Sequence, residues 1–311
     1  MKSIRLAPRE RVFNHPDTTH SFAEFPQYLL PPSIMPQDFK LPQLFSVFEL
    51  KRTLPLIALL FAIQSGPAVG AAPQPAAFAS APRTDGNSQL AHEQLLEKAK
   101  QGHIDVYFIG DSITRRWGAT DYPEFLAHWK KTFFGWNAGD FGWGADRIQN
   151  MLWRLENGEF EGVKPKVIVI LAGTNNIGHG PVDDAKVTEI TQGIRALLNF
   201  CHDKAPSATV VLTAIFPRND TPGIMPGIER VNRHLTELAD GKSVRFLNVN
   251  DKFADADGVL FEGMTMDKLH PTLKGYEAWA AGLRPILTEL LGPPASTDQA
   301  PPPTGDPSAK K

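Results

Sequence analysis

Cysteine is nearly missing from this chain: Cys201 is the single one among 311 residues. One thiol cannot close an internal disulfide, so the fold must be held by its core, and 42% apolar residues over this length are enough for a substantial one. Beside Phe200 at the end of an amphipathic stretch, Cys201 reads as a small buried thiol. An excess of one charge is also missing. With 32 Lys and Arg against 34 Asp and Glu, and no basic stripe interleaved with aromatics, no nucleic-acid partner is expected. No ladder of Cys and His stands at metal-ligand spacing, and no glycine-rich phosphate cradle is present, so neither metal nor cofactor is expected. The apolar run at 54–63 is about half the roughly 20 residues a bilayer requires, so no stable membrane span is expected there, an uncleaved anchor being the alternative.

What is present divides the chain. Lys51-Arg52, the run 54–63 and the small residues Gly70-Ala71-Ala72 follow the layout of a secretory signal, cleaved near Ala71 or Ala72. Residues 51–72 are therefore expected to direct a secreted or periplasmic product. Because such signals lie close to the true start, translation is expected from near Met35. That leaves 1–50, proline-rich and without periodicity, as an unstructured extension or a stretch upstream of that start. Residues 73–87 read as a Pro- and Ala-rich linker, and 292–311, with Pro301-Pro302-Pro303, as a disordered tail. The folded unit expected is a single domain over 88–291.

Within it, strand-like and helix-like segments alternate. Strands are predicted at 104–109, weakly at 133–137, then at 167–172, 209–215 and 244–249. Helical periodicity joins Ile148, Met151, Leu152 and Leu155, then Val187, Ile190, Ile194, Leu197 and Leu198, and last Tyr276, Ala280, Leu283, Leu287 and Leu290. Strand-helix alternation implies parallel strands joined by crossovers, hence an α/β class chain forming a three-layer α/β/α sandwich of the doubly wound type with a five-stranded parallel sheet. Sites in such sheets gather at the carboxyl ends of the strands.

Two turns fall there. Gly110-Asp111-Ser112-Ile113 closes the first strand and would expose Ser112 at its end; Gly173-Thr174-Asn175-Asn176 closes the third. Far downstream, Asp267-Lys268-Leu269-His270-Pro271 places a carboxylate and an imidazole three positions apart, so an Asp–His pair can form with little chain ordering. A serine hydroxyl is a weak nucleophile until an imidazole takes its proton, and the imidazole works best when a carboxylate fixes its tautomer. Ser112, His270 and Asp267 supply those parts as a candidate catalytic triad. Candidate oxyanion donors are the Ser112 N–H, the Asn175 amide and a backbone N–H of the loop Gly142-Trp143-Gly144-Ala145-Asp146. Trp117 and Trp143, close to these motifs, are candidates to stack on a sugar or an acyl chain. His179, between two glycines, reads as a solvated loop residue, and Lys130-Lys131 as a helix's charged end. The Gly-x-Ser-x-Gly elbow of α/β-hydrolases is broken by Thr114 in its last place.

In order along the chain, Gly110-Asp111-Ser112-Ile113, the 137–146 loop, Gly173-Thr174-Asn175 and Asp267-Lys268-Leu269-His270 resemble the four main blocks of the SGNH (GDSL) hydrolases. The stretches 143–147, 151–159 and 164–169 look especially like the catalytic subunits of platelet-activating-factor acetylhydrolase type IB and their bacterial relatives. The resemblance spans about 103–291. It implies a flavodoxin-like fold and metal-independent serine-esterase chemistry through an acyl-enzyme; the full triad with its oxyanion candidates leads us to expect action on short, above all acetyl, esters of a small molecule or carbohydrate. Position by position it makes Ser112 nucleophile and first oxyanion donor, His270 general base, Asp267 its orienter and Asn175 the side-chain donor. The second-block donor is usually a glycine N–H. Here that position is Ala145, with Gly144 as fallback, and the alanine Cβ narrows the space and restricts φ. The rival readings are a noncatalytic carbohydrate-binding module on the same fold and a flavin or phosphate binder. Substrate identity and oligomeric state stay open at this point.

Overall fold

The computed structural model describes residues 76–309; the extension expected at 1–50 and the signal-like segment at 51–72 lie outside the described residues. Five short apolar runs form strands β1 (Val106–Gly110), β2 (Ala138–Asp140), β3 (Val167–Leu171), β4 (Thr209–Thr213) and β5 (Val244–Leu247). They pair parallel throughout in the order β2-β1-β3-β4-β5. The chain starts at β1, steps outward to β2, and then crosses back to β3 on the other side. The reversal therefore lies between β1 and β3, which run in register from Val106 opposite Val167 to Gly110 opposite Leu171. Their carboxyl ends form the crevice in which a doubly wound sheet holds its site.

Side-chain alternation explains the layers. Tyr107, Ile109, Ile168 and Ile170 enter one core, while Val106, Phe108, Val167 and Val169 enter the other, so β1 and β3 are buried on both faces. The first core is covered by α1 (Gly86–Ala99), α4 (Ile148–Arg154), α6 (Asp184–Lys204) and α7 (Met225–Thr236). The second is covered by α2 (Ser112–Gly118), α3 (Pro123–Phe133) and α8 (Leu273–Leu291). A single turn, α5 (Thr174–Ile177), follows β3. The buried faces of α6 and α8 carry the residues whose periodicity predicts them, Val187, Ile190, Ile194 and Leu197 in one and Tyr276, Ala280, Leu283 and Leu287 in the other. Cys201 is buried in the first core, and burial pushes its thiol up to about 12. No helix among the described residues is long and apolar enough to cross a membrane.

The structure departs from the sequence expectations at three places. The weak strand at 133–137 is instead the end of α3 and a turn, with Gly135 and Asn137 both at positive φ, and the strand begins one residue later at Ala138. Trp136 and Phe133 are buried against the sheet's outer helices, so their apolar character serves packing and not a ladder. The proline-rich tail is not free: Pro301 is buried, and the segment is tied to the domain by bonds such as Gly135 N–H to Asp298, His103 N–H to the Gln299 carbonyl and Thr120 N–H to the Thr304 carbonyl. Prolines need no ladder partner and present rigid apolar rings, which suits a strap lying across a helical layer. The segment read as a linker likewise docks from residue 76 onward: Ala77 is buried against Gly193 of α6, and α1 starts at Gly86.

Candidate active site

Gly110 ends β1 at a point where the neighbouring strand and helix crowd in. A Cβ there would lie 2.0 Å from Thr114 Oγ1 and 3.0 Å from the Leu171 carbonyl, so close approach, not an unusual φ, requires glycine. Asp111 follows with non-helical angles, and its Oδ1 accepts the Ile113 N–H at 2.9 Å, capping α2. Ser112 thereby becomes the first residue of α2. Its own N–H belongs to the first turn, where backbone donors have no intrahelical acceptor, and so is available to a ligand.

On the other side of the crevice, the loop leading into α8 forms a tight Asx turn. Asp267 Oδ1 accepts the N–H groups of Leu269 at 3.1 Å and His270 at 2.7 Å, while Lys268 takes a left-handed φ of 66° and its carbonyl accepts the Asn219 N–H at 2.8 Å. The remaining oxygen, Asp267 Oδ2, lies 2.6 Å from His270 Nδ1, and His270 Nε2 lies 2.9 Å from Ser112 Oγ. A carboxylate only accepts, so Nδ1 carries the proton and Nε2 is left to accept from the serine hydroxyl. The three residues singled out by motif are thus joined in a continuous relay.

Charge in the relay is ordered by burial. Burial lowers the His270 pKa and outweighs the raising influence of Asp267, with the Arg116 and Arg218 guanidiniums adding to the fall. Burial alone would raise Asp267, but the His270 and Leu269 donors hold its carboxyl below the usual range. The imidazole is therefore neutral and the carboxylate charged near neutral pH, as a general base and its orienter require. Arg116, one turn beyond Ser112 on α2, stands 3.9 Å from Asp267 Oδ2.

The expected side-chain donor, Asn175, bonds the residue that follows Ala145. Asn175, in α5, donates from Nδ2 to the Asp146 carbonyl at 2.9 Å. The preceding Gly173 has φ 115°, a left-handed value that any side chain would strain, and it turns β3 sharply into α5. Ala145 is exposed in the loop after β2 with φ 62°, and its N–H donates to no hydrogen bond among the described residues. The fallback, Gly144, is half-buried, and its carbonyl accepts from Arg83 Nη1 at 2.6 Å.

The tryptophans are not where substrate stacking would need them. Trp117 is fully buried, among Phe108, Trp129, Phe133 and Trp279, with its indole N–H donated to His128 Nδ1 at 3.0 Å. Trp143 is 7% exposed and lies under the Arg115 guanidinium. Both are core residues, because α2 turns its apolar face inward and the loop after β2 folds over it. His179 is largely exposed, bonded to Thr221 Oγ1 at 2.8 Å.

Residues with no motif to mark them brace the site. Arg218, almost fully buried, donates to the Thr174 carbonyl at 3.1 Å and to Thr174 Oγ1 at 3.2 Å while pairing with Asp220 at 2.6 Å, and so fixes the turn that presents Asn175. Asp146 is buried and held through Oδ2 by Arg154 Nε at 2.5 Å; Arg154 in turn reaches Glu159 and Ser88. The only trace of these partnerships in the sequence is charge inside otherwise apolar stretches.

Residues 108–278 match the model of the GDSL-like lipase/acylhydrolase family. The chain is 31% identical over 212 residues to the platelet-activating factor acetylhydrolase IB subunit alpha1 of Bos taurus, covering 67% of this chain and 85% of that one. It is 30% identical over 202 residues to the alpha2 subunit of Rattus norvegicus, covering 64% and 83%. Among solved structures, a GDSL-like lipase from Bacteroides thetaiotaomicron superimposes with a TM-score of 0.52 at 20% identity, over 66% of this chain and 98% of that one, a likeness of fold.

Proposed function

Because this chain belongs to the GDSL-like lipase/acylhydrolase family and is therefore a hydrolase, we propose that it is a serine esterase that removes short acyl groups, acetyl foremost, through an acyl-enzyme. The observation that carries the proposal is the relay from Asp267 to His270 to Ser112, at 2.6 and 2.9 Å. In the first step Ser112 Oγ bonds to the ester carbonyl carbon as its proton passes to His270 Nε2, and Asp267 stabilises the imidazolium. The carbonyl oxygen takes the negative charge, for which the N–H groups of Ser112 and Ala145 and the Asn175 amide are the proposed donors. Collapse breaks the ester C–O bond, and the alkoxide leaves with the proton from His270. Water, deprotonated by the same imidazole, then cleaves the acyl-serine bond and restores the enzyme.

The preference for acetyl rests on the acetylhydrolase relatives. A small-molecule or carbohydrate ester is the proposed substrate, with a secreted or periplasmic setting resting on 51–72. The test is turnover of p-nitrophenyl esters of increasing chain length together with fluorophosphonate labelling. Acetate should be the best substrate and label should be found on Ser112. Ser112→Ala and His270→Ala should each be nearly as damaging as the pair. An active enzyme unlabelled at Ser112, or a folded protein without turnover on any of these esters, ends the proposal.

A further inference from the structure

One peptide group joins the oxyanion loop to the segment that precedes α1. The carbonyl of Gly144 accepts from Arg83 Nη1 at 2.6 Å, and the same peptide plane carries the Ala145 N–H on its opposite side. No cis peptide bond is present among the described residues, and in a trans peptide the C=O and N–H point in opposite directions. Fixing the carbonyl therefore fixes the direction of the N–H. We propose that Arg83 is a positioning residue of the oxyanion hole, holding the Gly144–Ala145 peptide with its N–H turned toward the developing oxyanion. This rests on the esterase reading above.

Three further observations support it. First, Arg83 is itself anchored. Its Nε donates to Asp85 Oδ2 at 2.8 Å, and Asp85 Oδ1 caps α1 through the Ser88 N–H at 2.9 Å. The chain just before it is stitched to α4 by Ala81 N–H to the Gln149 carbonyl at 3.0 Å and by Asn150 Nδ2 to the Ala81 carbonyl at 3.0 Å. Second, Arg83 Nη1 stands 3.5 Å from Asp146 Oδ1, a buried oxygen with no hydrogen-bond partner among the described residues. The backbone carbonyl of Asp146 receives the Asn175 amide. Arg83 thus touches both ends of the short stretch on which two of the three proposed oxyanion donors depend.

Third, Ala145 sits at φ 62°, a left-handed conformation that strains a non-glycine residue. The local motion that relieves it is rotation of the 144–145 peptide, which changes ψ at 144 and φ at 145. Gly144 offers no steric resistance, since a Cβ there would meet nothing within 4 Å. The bond from Arg83 opposes that rotation, and a charged donor on the carbonyl also polarises the peptide, strengthening its N–H as a donor.

The experiment compares wild type with Arg83→Ala, Arg83→Gln and Arg83→Lys, measuring kcat and KM on p-nitrophenyl acetate beside thermal melts. Arg83→Ala should lose about tenfold in kcat, less than the 100- to 1000-fold typical of deleting a donor outright, because the N–H persists but is no longer held. KM should stay within about twofold, and Arg83→Lys should recover most of the loss by restoring a charged donor. The Gln variant keeps the question answerable if Ala does not fold. A folded Arg83→Ala or Arg83→Gln enzyme with unchanged kcat, or a loss appearing only in KM or only in step with unfolding, would overturn the proposal. A wild type without turnover sinks the esterase reading itself, whereas an active wild type with indifferent Arg83 variants sinks only the role of Arg83.

Discussion

Replacing Asn175 by Ala tests whether the turn after β3 stabilises charge or only shapes the backbone. The Asn175 amide carries two hydrogens, and one is committed to the Asp146 carbonyl at 2.9 Å, so at most one remains for an oxyanion. The substitution therefore deletes one of the three proposed donors. Such a loss costs about 100- to 1000-fold in kcat, roughly 3–4 kcal/mol of transition-state stabilisation. KM should move little, since the charge that the donor meets develops only as the tetrahedral intermediate forms. The fold should lose far less: the Asp146 carbonyl forfeits one hydrogen bond, on the order of 1 kcal/mol, which lowers Tm by roughly 2–4 °C in a domain of this size. The assay is steady-state hydrolysis of p-nitrophenyl acetate at a temperature where both proteins are folded by circular dichroism. Asn175→Asp, nearly isosteric, should be at least as damaging because it sets a carboxylate against the Asp146 carbonyl. A folded Asn175→Ala enzyme retaining more than a tenth of wild-type kcat would refute the assignment, as would a defect confined to KM.

Three other perturbations follow from the electrostatics. The acid limb of kcat/KM should titrate below the usual histidine value of about 6.5, because burial and then the Arg116 and Arg218 cations depress His270; Arg116→Gln should move that limb to higher pH, and a limb that stays put or moves down contradicts this. Asp111 is buried with a pKa raised to about 7, so between about pH 4 and 7 the folded state keeps a proton that the unfolded chain releases, and stability should fall as pH rises through that window. The loss attributable to Asp111 is on the order of 4 kcal/mol, with Asp140 and Asp146, both raised to about 6, acting in the same direction. Denaturant melts across pH should show Asp111→Asn less pH-dependent by about one proton, and equal slopes would argue against a protonated Asp111. Arg154→Ala should destabilise by about 3 kcal/mol, since it takes the guanidinium from the buried Asp146 and Glu159 carboxylates and leaves them only Arg83 at 3.5 Å and His92 at 2.7 Å, and a Tm within a degree or two of wild type would show that the cluster is not coupled.

The sequence made the triad legible because its chemistry is local. Gly110-Asp111-Ser112 sits at a strand end recognisable from five neighbouring apolar residues, and Asp267 and His270 lie within one turn of each other. The sheet was legible for a related reason: strands buried on both faces read as continuous apolar runs, and β1 and β3 are such runs. Orientation was not legible. Trp117 lies five residues beyond Ser112 and could face solvent or core with equal local plausibility; the helix phase that buries it is set by α3 and α8 packing on the same face. The docking of the tail and of the 76–85 arm is not legible, because composition reports what cannot form helix or strand, not what can still dock. Arg83 and Arg218 act through contacts 61 and 44 positions apart, to Gly144 and Thr174, which no spacing rule recovers.

The carboxylates around the nucleophile are sorted by environment, and the sorting suits the chemistry proposed. Asp267 is the most exposed of them and is surrounded by donors, so it stays ionised where the imidazolium must be stabilised. Asp111 and Asp146, each next in sequence to a proposed oxyanion donor, are both buried and both raised, to about 7 and about 6. A free negative charge there would oppose the developing oxyanion through a poorly screening interior. Burial favours the protonated form of Asp111 up to about pH 7, which limits that charge. Asp146 avoids it by sharing its charge with Arg154 on one oxygen and facing Arg83 on the other. The same side chain that orients the Ala145 peptide therefore also offsets the Asp146 carboxylate, which is why an arginine, and not merely a hydrogen-bond donor, is suited to position 83.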